Sequence, residues 1–200
     1  MLALRRAPFA GLGRMQAESF VSDPEHWREG LEAFQPEVFI CALGTTWRKA
    51  GRNEAAFRAV DHDLVVQVAK AALEHGAFRM VLISSVGADS ASKSFYLRVK
   101  GETERDLEAL GFKRLDILRP GLLRGERGAE RRVGERAAIV LSPLTDNLLR
   151  GRMRKFRSIA AGEVAQAAVM LACNTAPGLA IHHHDAIRAA AQAWSSQVRG

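Results

Sequence analysis

The feature that most constrains the fold is a regular alternation of apolar runs and helical patterns in the middle of the chain. Residues 37–44, 78–85 and 114–121 are short apolar runs that end in glycine, serine or proline, which is typical of buried strands. Residues 53–76 and 94–111 carry apolar side chains at helical spacing, and each segment ends at a glycine. Strands that alternate with helices in this way predict an α/β fold with a doubly wound parallel sheet.

The flanking segments extend this pattern less clearly. Towards the N-terminus, residues 2–6 and 17–23 resemble strands and residues 23–34 a helix. No internal repeat and no linker interrupts the chain, so residues 1–200 are predicted to form a single domain. After Gly121 the pattern predicts helices over 135–151, 161–174 and 184–198 and a strand over 178–183.

The net charge of +7 raises the question of a polyanionic partner. The basic residues concentrate in segments 124–136 and 150–157. No aromatic interleaving, zinc-ligand spacing or helix-turn-helix pattern accompanies them. A solvated, arginine-rich surface is therefore favoured, and nucleic acid is not the expected partner.

Segments that direct a chain to a membrane or out of the cell are missing from the pattern. No apolar stretch approaches the roughly 18 to 20 residues of a membrane span. At the N-terminus the charged residues follow a very short apolar run, which is not the order of a signal peptide. Cys41 and Cys173 lie in apolar surroundings, which predicts buried, reduced thiols. These features together predict a cytoplasmic protein with no membrane partner.

Ligands of an open parallel sheet bind at the carboxyl ends of its strands. Ser84 and Ser85 end one of the predicted strands, and the helix that follows carries Tyr96 and Lys100 one helical turn apart. Tyr96 is the only tyrosine in the chain. A Tyr-x-x-x-Lys pair is typical of a reductase active site, although an amphipathic helix alone would also explain it.

A longer series of motifs favours the reductase interpretation. The segments "LGTTxxKAG", "VDxD", "LISSxGAD", "FYLxVKGE" and "RPGLL", within residues 37–131, resemble the atypical short-chain dehydrogenases of the human Tat-interacting oxidoreductase family. The resemblance implies a Rossmann-like fold and an NADP(H)-dependent oxidoreductase acting on a carbonyl or alcohol. Tyr96 would be the acid/base, Lys100 would tune it, and Ser85, or else Ser84, would orient the substrate. The alternative is a non-catalytic NAD(P)H-binding regulatory or scaffold protein with a vestigial site.

The same resemblance implies where the cofactor lies. NADP(H) is expected, with NAD(H) as the second choice, because Arg5 and Arg6 match an arginine pair that binds the 2′-phosphate of NADP. Surface charge is the alternative role of these two arginines. The other implied cofactor contacts are Leu43, Gly44, Tyr96, Lys100, Leu123 and Arg131.

One part of that family's pattern is not found in the sequence. The family opens with a strand, a glycine-rich turn and a helix that holds the cofactor pyrophosphate. Gly11 and Gly13 imitate the turn, but Gln16 stands where the third glycine belongs. We therefore expect an N-terminally truncated Rossmann-like fold, with impaired dinucleotide binding. Either the biological protein begins roughly 35 to 40 residues earlier, the length of one such unit, or the unit has been lost.

Three further features have ordinary structural explanations. Gly101, within a helix, predicts either a close passage of another group or tight helix packing. Asp61 and Asp63 are two residues apart on one helix, so capping or surface pairing is expected rather than catalysis. The run His182–His184 is expected in a loop, since consecutive side chains cannot share one metal.

Beyond a small-molecule substrate, a protein partner or a second copy of the chain stays open.

Overall fold

The computed structural model describes residues 2–5, 18–21, 23–124 and 149–199. The described strands are β1 (Leu2–Arg5), β2 (Glu18–Val21), β3 (Val38–Cys41), β4 (Arg79–Ile83), β5 (Arg114–Leu118), β6 (Leu123–Arg124), β7 (Ile159–Ala160) and β8 (Gly178–His182). The described α-helices are α1 (Trp27–Phe34), α2 (Glu54–Arg58), α3 (Leu64–Glu74), α4 (Phe95–Ala109), α5 (Ala161–Ala172) and α6 (His184–Arg199). Short 3-10 helices cover Pro24–His26 and Gly151–Phe156.

The main sheet has four parallel strands in the order β3-β4-β5-β8. Its register aligns Ile83 of β4 with Leu118 of β5, and Leu118 with His182 of β8. The carboxyl ends of these strands therefore lie at one edge, where the polar segments that follow them meet. The predicted parallel α/β sheet is confirmed.

Two apolar clusters cover the two faces of this sheet. On one face, Met80 and Leu82 of β4 pack with buried residues of α1, α3 and α4. On the other face, Val81 of β4 and Leu118 of β5 pack with buried residues of α5 and α6. Alternate residues of β4 thus enter different cores, as expected for a strand that is buried on both sides.

The N-terminal strands pair with each other rather than with the main sheet. β1 and β2 run parallel, with Leu2 opposite Glu18 and Arg5 opposite Val21. Both lie within the segments for which the sequence predicts strands, and α1 follows as predicted. The helix predicted over 135–151 lies almost entirely outside the described residues, as do Gly11, Gly13 and Gln16.

The long helix predicted over 53–76 is interrupted by a π-helical turn at Ala59–Asp63, which joins α2 to α3. Asn53 caps the start of α2 by accepting a hydrogen bond from the amide of Ala56 at 2.9 Å. Gly76, with φ of 106°, follows the end of α3 and provides the predicted stop. The π turn changes which side chains face α4, and this change determines the position of Asp61.

The two cysteines differ in environment. Cys41, at the end of β3, is buried, and burial raises the pKa of its thiol to about 11. Cys173 follows the end of α5 and is exposed. The expectation of a buried thiol is confirmed for Cys41 and wrong for Cys173, because the apolar residues beside Cys173 in sequence point into the second core while its own side chain does not.

Candidate active site

The segments after β4 and β5 run side by side at the carboxyl edge of the sheet. The amide of Ser84 donates to the carbonyl of Leu118 at 2.8 Å, and the amide of Val86 donates to the carbonyl of Pro120 at 2.9 Å. These bonds hold both serines next to the turn that follows β5. The edge is therefore an ordered surface, on which α4 begins twelve residues beyond the end of β4.

Tyr96 lies in the first turn of α4 with its side chain accessible, at 41% relative exposure. Its ring packs against the fully buried Phe57, at 5.7 Å between ring centroids. Phe95 and Trp47 complete this aromatic cluster, 5.8 Å and 6.3 Å from Phe57 respectively. Such a cluster fixes the orientation of the Tyr96 ring while leaving it open to a ligand.

Lys100 lies one turn further along α4 and is buried. Its Nζ is 2.7 Å from Oδ1 of Asp61, whose side chain is 1% exposed. The expectation that Asp61 serves in capping or surface pairing is wrong, because the π turn directs this side chain inward, onto α4. For Asp63 the expectation is confirmed: it is exposed and contacts the ring of His62 at 2.7 Å.

Asp61 also contacts the loop after β3. Its Oδ2 accepts a hydrogen bond from the amide of Thr45 at 2.6 Å. Its backbone carbonyl accepts one from Oγ1 of Thr103 at 2.9 Å. A Cβ on Gly44 would lie 3.3 Å from Oδ1 of Asp61 and 3.8 Å from Nζ of Lys100. The absence of a side chain at Gly44 thus leaves room for both charged groups at the strand end.

The two serines after β4 have different partners. The hydroxyl of Ser84 is buried and donates to the carboxylate of Glu104. The single N–H at Nε of Arg119 is shared between the two oxygens of that carboxylate, at 3.1 Å from each. Ser85 is half-buried, and among the described residues its hydroxyl makes only a long bond of 3.4 Å, to the carbonyl of Val86. Ser85 is therefore the serine with a hydroxyl available to a ligand.

The remaining predicted cofactor contacts are distributed unevenly. Leu43 is half-buried against the first core, next to the exposed Gly44. Leu123, in β6, packs instead against the second core, and Arg5 is the last residue of β1. Arg6 and Arg131 lie outside the described residues. The structure thus brings together Gly44, Lys100 and the neighbours of Lys100 on α4.

Gly101 and the histidine run receive specific explanations. A Cβ on Gly101 would lie 2.2 Å from the amide nitrogen of Ser90, so the group that passes closely is the loop after β4 itself. Nε2 of His182 lies 2.7 Å from Oδ1 of the buried Asp116, and His184 bonds its neighbour Asp185. Within the described part of the chain, no group of three His, Cys, Asp or Glu side chains could hold a metal ion.

Comparison with known families bears on the whole of this region. The family model named HIM1 matches residues 22–150. The chain belongs to the HIM1 family. The match includes the loop after β3, the π turn, the strand-end serines and all of α4, so these parts of the candidate site lie inside the matched segment.

Two fungal proteins are among the curated relatives. A protein of Emericella nidulans named "Protein fmp52, mitochondrial" is 46% identical over 132 residues, which are 64% of this chain and 56% of that protein. A Saccharomyces cerevisiae protein named "Protein FMP52, mitochondrial" is 36% identical over 174 residues, which are 86% of this chain and 74% of that protein. These names contradict the expected cytoplasmic location, which is therefore wrong. The chain spans little more than half the length of the first of these relatives.

Solved structures share the fold at low sequence identity. The Bordetella bronchiseptica enzyme WbmG, in complex with NAD, matches with a TM-score of 0.62 at 14% identity, over 100% of this chain and 70% of that chain. The dTDP-4-dehydrorhamnose reductase of Bacillus anthracis, in complex with NADP, matches with a TM-score of 0.63 at 14% identity, over 99% and 80%. The fold is thus the Rossmann-like α/β fold that these two enzymes share.

One expectation is refined by these findings. The general resemblance to short-chain dehydrogenases is confirmed at the level of the fold, whereas the sequence family is HIM1. The narrower resemblance to the Tat-interacting oxidoreductase family stays a prediction.

Among the described helices, none combines the length and apolar character that crossing a membrane requires.

Proposed function

We propose that the chain is the catalytic part of an NADP(H)-dependent oxidoreductase that acts on a carbonyl or alcohol. The observation that carries the proposal is the arrangement on α4: an exposed Tyr96 one turn from a buried Lys100, at the sheet edge where Ser85 offers a hydroxyl. NAD(P)-binding enzymes that share the fold support the cofactor class.

The three side chains have distinct roles in this proposal. The hydroxyls of Tyr96 and Ser85 donate hydrogen bonds to the oxygen of the substrate carbonyl. As the carbonyl carbon is reduced, the Tyr96 proton moves to that oxygen, and the Lys100 ammonium stabilises the negative charge left behind. The hydride would come from a nicotinamide bound beside these residues, and alcohol oxidation would be the same sequence reversed.

The residues at the end of β3 fit such a cofactor. Gly44 is exposed and has no side chain, and the Lys100 ammonium lies beside it. A ligand lying over Gly44 would therefore contact both the backbone and a buried cation. Arg5 and Arg6 are proposed to bind the 2′-phosphate, which favours NADP(H) over NAD(H).

The second candidate is a non-catalytic, NAD(P)H-binding regulatory protein. One observation favours it: Asp61 holds the Lys100 ammonium, so the cation is already neutralised by a buried carboxylate. In such a protein, NADPH would change the affinity for a partner, and that change would be independent of the Tyr96 hydroxyl.

Names of the fungal relatives support a mitochondrial location, which we propose for this protein as well. Fractionation of cells that express the tagged protein from its natural locus tests this point. Recovery of the tag with the matrix or membrane fractions of mitochondria is expected, and recovery in the cytosol would contradict it.

The function is tested by titrating the protein with NADPH and NADH from micromolar to millimolar concentration, followed by a panel of aldehydes, ketones and quinones with absorbance at 340 nm as readout. Tighter binding of NADPH and consumption of NADPH by at least one carbonyl are expected. Absence of binding to both nucleotides would overturn the proposal. Binding without turnover by any member of the panel would favour the regulatory candidate.

A further inference from the structure

We infer that Asp61 is a positioning residue of this site, which couples the loop that follows β3 to the ammonium of Lys100. The inference deepens the proposed function and rests on it. Asp61 touches neither substrate nor cofactor in this account; it acts through Lys100 and through the backbone at Thr45.

The geometry links three elements that are distant in sequence. One carboxylate oxygen of Asp61 lies 2.7 Å from Nζ of Lys100 on α4, and the other accepts the amide of Thr45, in the loop after β3, at 2.6 Å. The π turn that carries Asp61 is itself anchored to α4. Oγ1 of Thr103, which lies one turn beyond Lys100 on α4, donates a hydrogen bond to the backbone carbonyl of Asp61. Both ends of the bridge are therefore fixed.

Because both partners are buried, breaking this ion pair costs free energy. The pair therefore holds the two side chains in fixed positions. Asp61 is 1% exposed and Lys100 is 8% exposed, so water does not replace either partner of the pair. A π turn is rare and is frequently found at functional sites. Here it moves Asp61 off the surface that its neighbour Asp63 occupies, and directs it to the lysine that the proposed chemistry uses.

The coupling has a direct consequence for cofactor binding. A cofactor over Gly44 would contact the loop that Asp61 holds and the ammonium that Asp61 holds. Loss of the carboxylate charge would release both, so the effect on NADPH affinity should be transmitted in part through Lys100 and in part through the loop. A displacement of about 1 Å in a reacting group is enough for about a 100-fold loss of rate.

The test is a double-mutant cycle on NADPH affinity with Asp61→Asn, Lys100→Met and the double variant. Asp61→Asn is expected to weaken NADPH binding about tenfold in the wild-type background and by clearly less in the Lys100→Met background, where only the contact with the Thr45 amide is left to lose. Asp63→Asn, an exposed carboxylate on the same π turn, is the matched control and should leave affinity unchanged. An equal effect of Asp61→Asn in both backgrounds would overturn the inference.

A readout without cofactor separates this inference from the proposed function. Hydrogen exchange of the Thr45 amide, measured by NMR, should be about tenfold faster in Asp61→Asn, because a charge-assisted hydrogen bond becomes a neutral one. Unchanged Thr45 exchange together with unchanged NADPH affinity would overturn the positioning role while the reductase stands. Wild-type protein that binds neither nucleotide would instead overturn the proposed function.

If Asp61→Asn fails to fold, Thr103→Val provides the second variant. It keeps the side-chain volume, removes the bond that anchors the carbonyl of Asp61, and leaves all charges in place. Weaker NADPH binding and faster Thr45 exchange are expected. Wild-type values for both would overturn the inference.

Discussion

A Cβ atom at Gly101 would lie 2.2 Å from the amide nitrogen of Ser90 and 2.3 Å from the carbonyl carbon of Asp89. No Cβ tolerates such distances to backbone atoms, so α4 can pass the loop after β4 only where it carries glycine. This contact holds the loop that leads to Tyr96 against the helix that carries Tyr96. It also provides a sharp test of the described geometry.

Replacing Gly101 with alanine is expected to destabilise the protein by about 1–3 kcal/mol, because the loop must move away from the helix. Helix propensity alone predicts the opposite sign, a gain of about 1 kcal/mol. Gly162→Ala in α5 is the matched control, since no atom lies within 4 Å of its Cβ position. Urea unfolding of the three proteins measures the difference; an alanine at 101 that stabilises as much as one at 162 would contradict the contact.

The two thiols should react at very different rates. Burial raises the pKa of Cys41 to about 11, so almost no thiolate is present at pH 8, whereas Cys173 is exposed. With a chromogenic disulfide reagent, we expect one fast equivalent under native conditions and the second only upon unfolding. Cys173→Ser should abolish the fast phase. A fast phase that persists in this variant would place Cys41 at the surface.

Asp116 should make stability fall in acid. Burial of its carboxyl acts to raise the pKa, but hydrogen bonds from His182 and Arg114 outweigh it, and the net pKa lies below its ordinary value of 3.8. A depressed carboxyl pKa means that the unfolded state binds more protons. The stabilisation is therefore complete well above pH 4 and is lost as the pH falls through the folded-state value. Asp116→Asn should be less stable than the wild-type protein at pH 7, and its free energy of unfolding should fall less on acidification. An unchanged pH dependence of stability would contradict the interaction of Asp116 with His182 and Arg114.

The buried contact between Glu104 and Arg119 should behave as a unit. Arg119→Met leaves the Glu104 carboxylate buried beside Ser84 without its cation, which is expected to cost about 3–5 kcal/mol. Adding Glu104→Gln removes that charge and should restore part of the stability. Thermal unfolding of the single and double variants checks this, and strictly additive losses would show that the pair is not coupled.

Local patterns predicted most of the fold because each depends on nearby residues. The apolar runs around Met80 and Leu115 alternate between two cores, and that alternation is visible in the sequence as a strand buried on both faces. The stops at Gly76 and Gly111 were predictable for the same reason, since both glycines adopt positive φ after a helix.

The site was predictable only in part. Tyr96, Lys100 and Ser85 follow from spacing and resemblance, but the partner of Lys100 does not, because the π turn inserts a shift into a helical pattern that looks continuous. The histidine run gives a second example. The ring of His182 contacts Asp116, which lies 66 residues earlier in the sequence and is brought near only by the pairing of β5 with β8. Long-range pairing and local helix defects leave no periodic signal.

Comparison of Tyr96→Phe with the wild-type protein tests the central claim most directly, with NADPH affinity and carbonyl-dependent NADPH consumption measured on the same samples. Phenylalanine keeps the ring contact with Phe57 and removes only the hydroxyl. A loss of turnover of about 100-fold or more, with NADPH affinity unchanged, is expected. Turnover by Tyr96→Phe at the wild-type rate would contradict the claim that this tyrosine transfers the proton.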